Sequence, residues 1–326
     1  MINFKLPKAL IAQEPASPRD SARLLTYNRH TQQIEDKVFS ELPKYIKNDT
    51  TLVVNNSKVE KCRWLFDMGK TEIFVLEKLD SHTIKALVRP GKKFKLGQKS
   101  EITGWLTVET TAIDNDGIRT IQLNLQHDDE RLQKIEHIPL PPYITQNDKI
   151  ADEYQTIYAK LSKFGSSKAS PTAGLHFTPK LINNIAQHHD VLEVTLHVGL
   201  GTFASLTKEN IESGTLQSES YKIKDETAQK LINAKHITAV GTTTVRTLES
   251  WKNNGTLQGD TDIFIRPGYE FKSVDSMITN FHLPGTSLLL MVEAFVGSAS
   301  ELQRIYDHAI AQKYRFYSFG DAMLIL

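Results

Sequence analysis

The fold is decided by the run Ser170-Pro171-Thr172-Ala173-Gly174-Leu175-His176-Phe177-Thr178, which joins turn residues to a histidine. The amphipathic segment Pro179 to His188 follows it, so Thr178 supplies a helix cap and Pro179 a proline at the first helical position. The run therefore predicts a loop that enters a helix. Loops held by a rigid scaffold carry many binding and catalytic residues, and this loop is a candidate site that needs support from other segments.

Beyond this run, the sequence predicts strands that alternate with helices. Helices are expected at Pro179 to His188, Glu226 to Ala234 and Ser287 to Phe295, and strands at Leu192 to Val198, Ile237 to Val240 and Asp262 to Ile265. Upstream, Arg23 to Tyr27 and the apolar run Thr51 to Val54 predict two more strands. This order is typical of an α/β core with a mixed sheet and helices.

A change in the hydrophobic pattern between Phe66 and Ile138 predicts a second domain. Short alternating apolar and polar runs are separated there by turn residues such as Pro90-Gly91 and Asn115-Asp116-Gly117. Strands at regular spacing with turns between them are typical of antiparallel barrels or sandwiches. We expect an inserted all-β antiparallel barrel domain at residues 66–138, and a discontinuous α/β catalytic domain at residues 1–65 and 139–326.

The composition is that of an ordinary globular protein, with 40% hydrophobic and 24% charged residues. No apolar run reaches the roughly 18 residues needed to span a bilayer, and the first residues lack the apolar core of a signal peptide. The one cysteine, Cys62, excludes an internal disulfide framework. A cytoplasmic protein with no membrane partner is expected.

The net charge of +1 gives no sign of a strongly basic nucleic-acid binder. A local patch is present in the turn-rich segment Arg89 to Lys95, which holds four cations and an aromatic residue. Lys92, Lys93 and Lys95 are therefore candidate RNA-binding residues. A solvated hairpin end is the alternative.

Several of the expected strands end in polar or glycine-bearing turns, where α/β folds place ligands. Gly199 and Gly201 follow one strand, and Gly241 with Thr242-Thr243-Thr244 follows another. Glycine lets backbone N–H groups approach a ligand, and a helix start offers N–H donors to an anion. The pattern indicates a site for an amino-acid or nucleotide moiety.

Three common site patterns are missing from the sequence. The segment His197 to Gly201 lacks the third glycine of a dinucleotide fingerprint. The sequence contains no Gly-x-x-x-x-Gly-Lys-Thr phosphate loop and no histidine pair at zinc-protease spacing. Rossmann dehydrogenases, nucleoside triphosphate hydrolases and zinc hydrolases therefore lack support.

Ionisable residues lie in or beside the strand-end turns. His176, His197 and His282 are candidates for proton transfer near neutral pH, and a buried imidazole bonded to a carbonyl is the alternative for each. Arg246 lies near an expected helix start, where a cation is unfavourable. We expect Arg246 to bind a carboxylate of the ligand, and a structural ion pair with a carboxylate such as Glu249 is the alternative.

These and other segments resemble the S-adenosylmethionine:tRNA ribosyltransferase-isomerase family of queuosine biosynthesis. The likeness covers essentially the full chain. The matching segments are Leu10 to Gln13, Arg19 to Leu25, Pro139 to Ile144, Tyr154 to Tyr158, Ser170 to Phe177, His197 to Phe203, Ala239 to Glu249, Thr261 to Ile265, Thr279 to Pro284 and Tyr314 to Met323. Two segments depart from the family pattern: Asn55-Asn56-Ser57-Lys58 replaces Asn-Asp-Thr-Arg, and Leu216-Gln217-Ser218-Glu219 replaces Met-His-Ser-Glu.

The resemblance implies a specific reaction. The ribosyl moiety of S-adenosylmethionine is transferred and isomerised onto 7-aminomethyl-7-deazaguanine at the wobble position of tRNA, which gives epoxyqueuosine and releases adenine and methionine. S-adenosylmethionine is the ribosyl-donor substrate, no metal is required, and a monomer is expected. The departures at Asn56 and Gln217 motivate a non-catalytic RNA-binding paralogue as one alternative. An S-adenosylmethionine-dependent methyltransferase is the other.

The reaction implies roles for residues in the matching segments. A C5′ proton beside the sulfonium must be removed and the departing adenine protonated, for which the candidates are His176, His197, His282 and Asp321. The methionine carboxylate is assigned to Arg246 with the turn Thr242-Thr243-Thr244.

The remaining assignments concern the ribose, the sulfonium and the wobble base. Glu219 or Asp321 is expected to face the sulfonium or a ribose hydroxyl, and Phe177, Phe281 or Tyr143 to stack on the unpaired base. Further substrate-binding candidates are Thr172, Gly174, Gly199, Gly201, Asn280 and Arg315.

Overall fold

The computed structural model describes residues 2–145, 148–162, 167–199 and 206–326. Its strands are β1 (Arg23–Tyr27), β2 (Ile34–Val38), β3 (Thr50–Asn55), β4 (Arg63–Phe66), β5 (Thr71–Lys78), β6 (Thr83–Arg89), β7 (Lys99–Thr103), β8 (Leu106–Ile113), β9 (Arg119–Leu123), β10 (Glu136–His137), β11 (Asp190–Leu196), β12 (Thr215–Lys222), β13 (His236–Val240), β14 (Gln258–Ile263), β15 (Ser276–Asn280) and β16 (Ala322–Ile325). Its α-helices are α1 (Glu130–Gln133), α2 (Asp148–Ala151), α3 (Pro179–Ala186), α4 (Lys208–Ser213), α5 (Asp225–Asn233), α6 (Thr242–Asn254), α7 (Ser287–Val296) and α8 (Ala299–Ala311). None of these helices is long and apolar enough to cross a bilayer.

The run 170–178 enters a helix as expected. Thr172–His176 form a short 3-10 turn, and α3 begins directly after Thr178. The Thr178 hydroxyl accepts the backbone N–H of Leu181 at 3.2 Å, and Pro179 occupies the first helical position. This is the cap that a threonine followed by a proline favours.

The chain divides into two compact units. The first comprises Met1–Val59, Pro141–Thr145 and Glu153–Leu326, and the second comprises Glu60–Leu140 and Gln146–Asp152. The assignment of residues 66–138 as an inserted domain remains our proposal.

The first unit contains a nine-stranded mixed sheet in the order β14-β12-β11-β3-β13-β15-β16-β1-β2. Its centre is parallel, because β3 pairs in parallel with β11 and β13, and β13 pairs in parallel with β15. The early strand β3 thus lies between two strands from the C-terminal half of the chain. The expected α/β class with a mixed sheet and helices is confirmed.

Strand β3 shows why this sheet lies inside the unit. All six of its residues are buried, as is typical of a parallel strand covered on both faces. Side chains alternate between the faces of a strand, so Val53 packs into one core cluster while Leu52 and Val54 pack into another. Helices and turns therefore cover both faces, and the strand ends are the natural place for a ligand.

The second unit contains a seven-stranded sheet in the order β10-β4-β5-β6-β9-β8-β7, with antiparallel neighbours throughout. The expectation of an antiparallel β structure is confirmed, but the expectation of a closed barrel is wrong. Within the described residues, the edge strands β10 and β7 do not pair with each other. Strand β10 has only two residues, which offer too few backbone groups to close the sheet.

Candidate active site

A cavity of about 460 Å³ lies at the carboxyl ends of β13 and β15. Cavities of this size hold small organic ligands, and α/β sheets bind ligands at this edge. Its polar wall carries hydroxyl, amide and imidazole side chains, from Thr172, Thr242, Thr243, Thr279, Asn280 and His282. Its apolar wall carries rings and aliphatic side chains, from Pro142, Tyr143, Leu283, Pro284, Leu288 and Tyr317. We call this space the strand-end cavity.

The start of α6 forms part of the polar wall. Gly241 precedes the helix with φ of 88°, a left-handed conformation that favours glycine. The first N–H groups of a helix have no carbonyl within the helix to bind, and here these groups belong to the cavity residues Thr242 and Thr243. The Thr243 hydroxyl is fixed by Asn55, whose amide donates to it at 3.2 Å. The wall therefore offers backbone donors to an anion.

A chain of hydrogen bonds links the run 170–178 to β15. The Thr172 hydroxyl donates to Oδ1 of Asn280 at 2.9 Å, and Nδ2 of Asn280 lies 3.3 Å from Nε2 of His176. Because the amide nitrogen is a donor, Nε2 of His176 acts as an acceptor in this arrangement. The chain orients the Asn280 amide at the cavity wall.

His176 lies behind that wall rather than in it. The residue is 4% exposed, and its ring packs against Phe39 with ring centroids 4.9 Å apart. Burial, together with the charges of Arg315 and Arg19, lowers the pKa of His176 to about 3. A neutral imidazole that holds Asn280 is a positioning group, so the structure brings His176 to the site without contact with the cavity.

His282 follows β15 and lines the cavity. Its Nε2 lies 2.8 Å from the Thr279 hydroxyl, and its backbone N–H donates to the Tyr306 hydroxyl at 3.0 Å. Burial within the protein lowers the pKa of His282 to about 4, so the imidazole is neutral at neutral pH. Nδ1 makes no hydrogen bond within the described residues. His282 is thus a neutral imidazole at the cavity wall.

His197 is not brought into the strand-end cavity. Its backbone N–H donates to the Ser220 carbonyl at 2.9 Å, and its Nε2 lies 3.3 Å from the Ser162 hydroxyl. These bonds fix the end of β11. The neighbouring candidate Gly201 lies outside the described residues.

Arg246 and Glu219 form a buried ion pair. Arg246 is 5% exposed and Glu219 is 6% exposed. The same carboxylate accepts the Gly199 backbone N–H at 2.8 Å. Neither charged side chain belongs to the lining of the strand-end cavity. Arg246 therefore has a structural ion pair, which was the alternative to ligand binding, and its partner Glu219 comes from β12.

Glu249, the alternative partner of Arg246, has other partners. Its carboxylate accepts the Tyr269 hydroxyl at 3.0 Å and the backbone N–H groups of Lys272 and Ser273 at 2.9 Å each. Glu249 therefore ties α6 to the segment that follows β14.

Asp321 and Arg315 brace the turn that precedes β16. Asp321 is 2% exposed and accepts the backbone N–H groups of Arg315 at 2.8 Å and Arg23 at 3.1 Å. The Arg315 guanidinium pairs with the same carboxylate at 3.2 Å. Both candidates lie outside the cavity lining, and their contacts hold in place a turn that carries Tyr317 and Ser318 to the cavity.

Three other candidates belong to the protein interior. Phe177 and Phe281 are fully buried in core clusters, so neither ring has a free face for a nucleobase, and the expectation that either one stacks on the base is wrong. Gly174 packs so tightly that a Cβ atom would overlap the Tyr158 side chain. Thr244 is fully buried and donates to the Val240 carbonyl at 2.6 Å.

The aromatic wall of the cavity is formed by Tyr143 and Tyr317. Their ring centroids are 4.0 Å apart with the planes inclined at 35°, and the Tyr143 hydroxyl is hydrogen-bonded to the Ser318 hydroxyl. Tyr143 was a candidate, whereas sequence reasoning missed Tyr317 and Ser318. Both residues lie in the segment Tyr314 to Met323, whose match to the family is the sequence signal for them, although its charged residues Arg315 and Asp321 are the ones that suggest chemistry.

The two departures from the family pattern lie outside the cavity lining. The Asn56 amide donates to Glu193 at 3.0 Å, and its oxygen accepts the Thr195 hydroxyl at 2.7 Å. Asn56 therefore fastens β11 to the chain after β3. Gln217 lies on β12 and is exposed.

The basic candidates in the second unit differ in exposure. Lys92 and Lys95 are exposed, whereas Lys93 is half-buried and its ammonium contacts Asp67 at 3.2 Å and the Thr71 hydroxyl at 2.8 Å. Lys93 is therefore partly neutralised by its own unit.

The chain is similar to known proteins of one family. Residues 1–325 match the model of a family described as queuosine biosynthesis protein. An S-adenosylmethionine:tRNA ribosyltransferase-isomerase of Desulfitobacterium hafniense is 43% identical over 339 residues, which cover 99% of this chain and 98% of the relative. The enzyme of the same name from Thermotoga maritima is 43% identical over 336 residues, with 99% and 98% covered.

A solved structure is also similar. It is the crystal structure of an S-adenosylmethionine tRNA ribosyltransferase from Thermotoga maritima, which matches with a TM-score of 0.57 and 36% sequence identity. The match covers 99% of each chain.

Proposed function

Because the chain belongs to the family of queuosine biosynthesis proteins, we propose that it is an S-adenosylmethionine:tRNA ribosyltransferase-isomerase that reacts in the strand-end cavity. The enzyme moves the ribosyl moiety of S-adenosylmethionine onto 7-aminomethyl-7-deazaguanine at the wobble position of tRNA. Epoxyqueuosine forms, and adenine and methionine leave. S-adenosylmethionine is a substrate that is consumed.

One observation supports the placement of the reaction. The strand-end cavity joins a polar wall, with backbone donors and a neutral imidazole, to an apolar wall with two aromatic rings. S-adenosylmethionine likewise has one polar end and one flat aromatic end, since its methionine end is charged and its adenine is a flat ring. A cavity with one wall of each kind can hold both ends at once.

The methionine carboxylate is proposed to bind at the start of α6. The N–H groups of Thr242 and Thr243 face no helix carbonyl, and a helix start favours an anion. Arg246 lies deeper in the same helix, where its charge is already matched by Glu219. We therefore assign the carboxylate to the backbone donors and give Arg246 the role of holding α6 and Gly199 together.

His282 is proposed as the proton-transfer group. Among the described residues it is the imidazole in the cavity lining, and its lowered pKa leaves it neutral at neutral pH. When the Thr279 hydroxyl accepts Nε2–H, Nδ1 carries the lone pair and can take the C5′ proton next to the sulfonium. His176 orients Asn280 in this scheme and does not transfer a proton.

The pH profile should reflect the depressed pKa of His282. The base must be neutral, so kcat/KM should stay level from pH 7 to about 5 and fall only near pH 4, whereas an ordinary histidine would lose half its neutral form near pH 6.5. Initial rates at saturating tRNA and varied S-adenosylmethionine measure this. An acid limb centred near pH 6.5 would contradict the assignment.

Folding must be checked across that range. The folded-state pKa values of His176 and His282 are lowered, so below about pH 6.5 the unfolded chain binds protons that the folded chain does not. Stability is therefore lost as pH falls through the unfolded value. Circular dichroism at each pH separates this loss from the titration of the base.

Binding of tRNA is proposed to use Lys92 and Lys95. The variant with Lys92→Ala and Lys95→Ala should bind tRNA more weakly, and the slope of log K against log salt should fall by about two, because each phosphate contact contributes nearly one unit. Adding Lys93→Ala should change the slope less, since Asp67 already neutralises that ammonium.

The control for this experiment removes two lysines from the other unit. Lys230 and Lys235 are exposed and pair with Asp190 and Asp49. The variant with Lys230→Ala and Lys235→Ala should keep the affinity and the slope. If the Lys92 and Lys95 variant also keeps both, the patch is a solvated turn.

Release of adenine tests the proposed function. Incubation with S-adenosylmethionine should release adenine only when the added tRNA carries 7-aminomethyl-7-deazaguanine. Unmodified tRNA is the control. Binding of the modified tRNA without adenine release would instead support a non-catalytic RNA-binding protein.

A further inference from the structure

Tyr317 has an unusual backbone conformation. Its φ is 73°, in the left-handed region that bulky side chains rarely adopt. Five other non-glycine residues of the described chain have positive φ, and none of them lines the strand-end cavity. Strained residues of this kind cluster at functional sites when their surroundings hold them in place.

The surroundings do hold Tyr317 in place. Its backbone N–H donates to the Phe281 carbonyl at 3.2 Å, and its carbonyl accepts the Gly320 N–H at 2.9 Å. Gly320 has no room for a Cβ, which would lie 2.5 Å from the Arg315 carbonyl oxygen. The carboxylate of Asp321 completes the turn by accepting the Arg315 N–H at 2.8 Å. Each contact comes from the protein itself and fixes the turn before a ligand arrives.

The turn presents a fixed aromatic surface to the cavity. The Tyr317 ring lies against Tyr143, and Ser318 secures Tyr143 through both its hydroxyl and its backbone N–H, the latter donating to the Tyr143 hydroxyl at 3.2 Å. Both rings are half-buried and line the cavity with Pro142 and Pro284. The rings are already in contact, so a flat ligand would stack on the pair rather than between its members.

We propose that Tyr317, with Tyr143, forms the platform on which a purine ring stacks in the strand-end cavity. This inference rests on the proposed function, which brings two such rings to the enzyme: the adenine of S-adenosylmethionine and the 7-deazaguanine of the tRNA. Aromatic platforms bind any flat base, because every base has a π face. The pre-formed turn positions the ring so that little side-chain freedom is lost on binding.

The test replaces Tyr317 with asparagine, which tolerates the left-handed conformation but cannot stack. Calorimetry measures Kd for S-adenosylmethionine and, separately, for an anticodon stem-loop that carries the modified base. We expect Kd to rise at least tenfold for one of these ligands, as the loss of a stacked base implies, with the melting temperature kept within a few degrees. Tyr317→Phe should restore the affinity, because it restores the ring.

The two ligands identify the source of the purine. A change for S-adenosylmethionine alone assigns adenine to the platform, and a change for the stem-loop alone assigns the wobble base. Unchanged affinity for both overturns the proposal, as does a loss of affinity that Tyr317→Phe leaves uncorrected. Lys313→Asn is the matched control, since Lys313 has φ of 59°, is exposed and lies outside the cavity lining.

Binding and turnover can fail independently. If wild-type protein releases adenine and Tyr317→Asn binds both ligands normally, the platform is wrong and the proposed function stands. If wild-type protein binds S-adenosylmethionine through Tyr317 but releases no adenine, the platform stands and the proposed function is wrong.

Discussion

His282→Ala should lower the rate of the chemical step by about 10²- to 10⁴-fold, which is the usual contribution of a general acid or base. The physical reason is that this variant removes the imidazole of the cavity lining, which is neutral at neutral pH and so has a free lone pair for the proton. Single-turnover rates of adenine release at saturating substrates measure the effect. Affinity for S-adenosylmethionine should change much less, because the main loss is in the chemical step.

Two variants control this experiment. His188→Ala removes an exposed histidine outside the cavity lining and should leave the rate unchanged. Thr279→Ala removes the hydroxyl that orients Nε2 of His282 and should give a smaller loss than His282→Ala. A folded His282→Ala variant with a wild-type rate would remove His282 from the chemistry.

Arg246→Met should lower the free energy of unfolding by about 3–5 kcal/mol, because it leaves the Glu219 carboxylate buried without its guanidinium partner. The double variant with Arg246→Met and Glu219→Leu should recover only part of that loss, since apolar side chains often replace a buried ion pair at little cost but leucine cannot accept the Gly199 N–H. Urea denaturation of the four proteins of this cycle measures the coupling.

Kinetic measurements distinguish this structural role of Arg246 from the role that the sequence predicts, which is to bind the methionine carboxylate. Arg246→Lys should lower the melting temperature, because lysine cannot reproduce the planar guanidinium, while KM for S-adenosylmethionine stays close to its wild-type value. The opposite outcome is a KM at least tenfold higher with unchanged stability. It would place Arg246 on the methionine carboxylate and overturn our assignment of that anion to the α6 backbone.

Sequence patterns predict much of the fold because the signals are local. The apolar run Thr51 to Val54 predicts β3, observed at Thr50–Asn55, and the cap at Thr178 predicts the start of α3. The patterns do not predict β15 as a strand, because its sequence Ser-Met-Ile-Thr-Asn has neither an apolar and polar alternation nor an apolar run like that of β3. The closed barrel is wrong because short turn-separated runs indicate strands but not whether the edge strands meet.

The site is less predictable, because its chemistry depends on contacts between distant segments. Local spacing favours Glu249 as the partner of Arg246, whereas the actual partner, Glu219, lies on another element. The sequence also marks His176 and His282 equally. Only the tertiary structure separates them, since Asn280 lies between His176 and the cavity. No sequence signal indicates the left-handed backbone of Tyr317.

The most direct test of the central claim follows two labels of S-adenosylmethionine, one in the ribose and one in the methyl group. After incubation with the protein and tRNA that carries 7-aminomethyl-7-deazaguanine, the ribose label should appear in the tRNA. The methyl label should appear in free methionine, with adenine released in equal amount. Methyl label in the tRNA together with S-adenosylhomocysteine would contradict ribosyl transfer and show a methyltransferase.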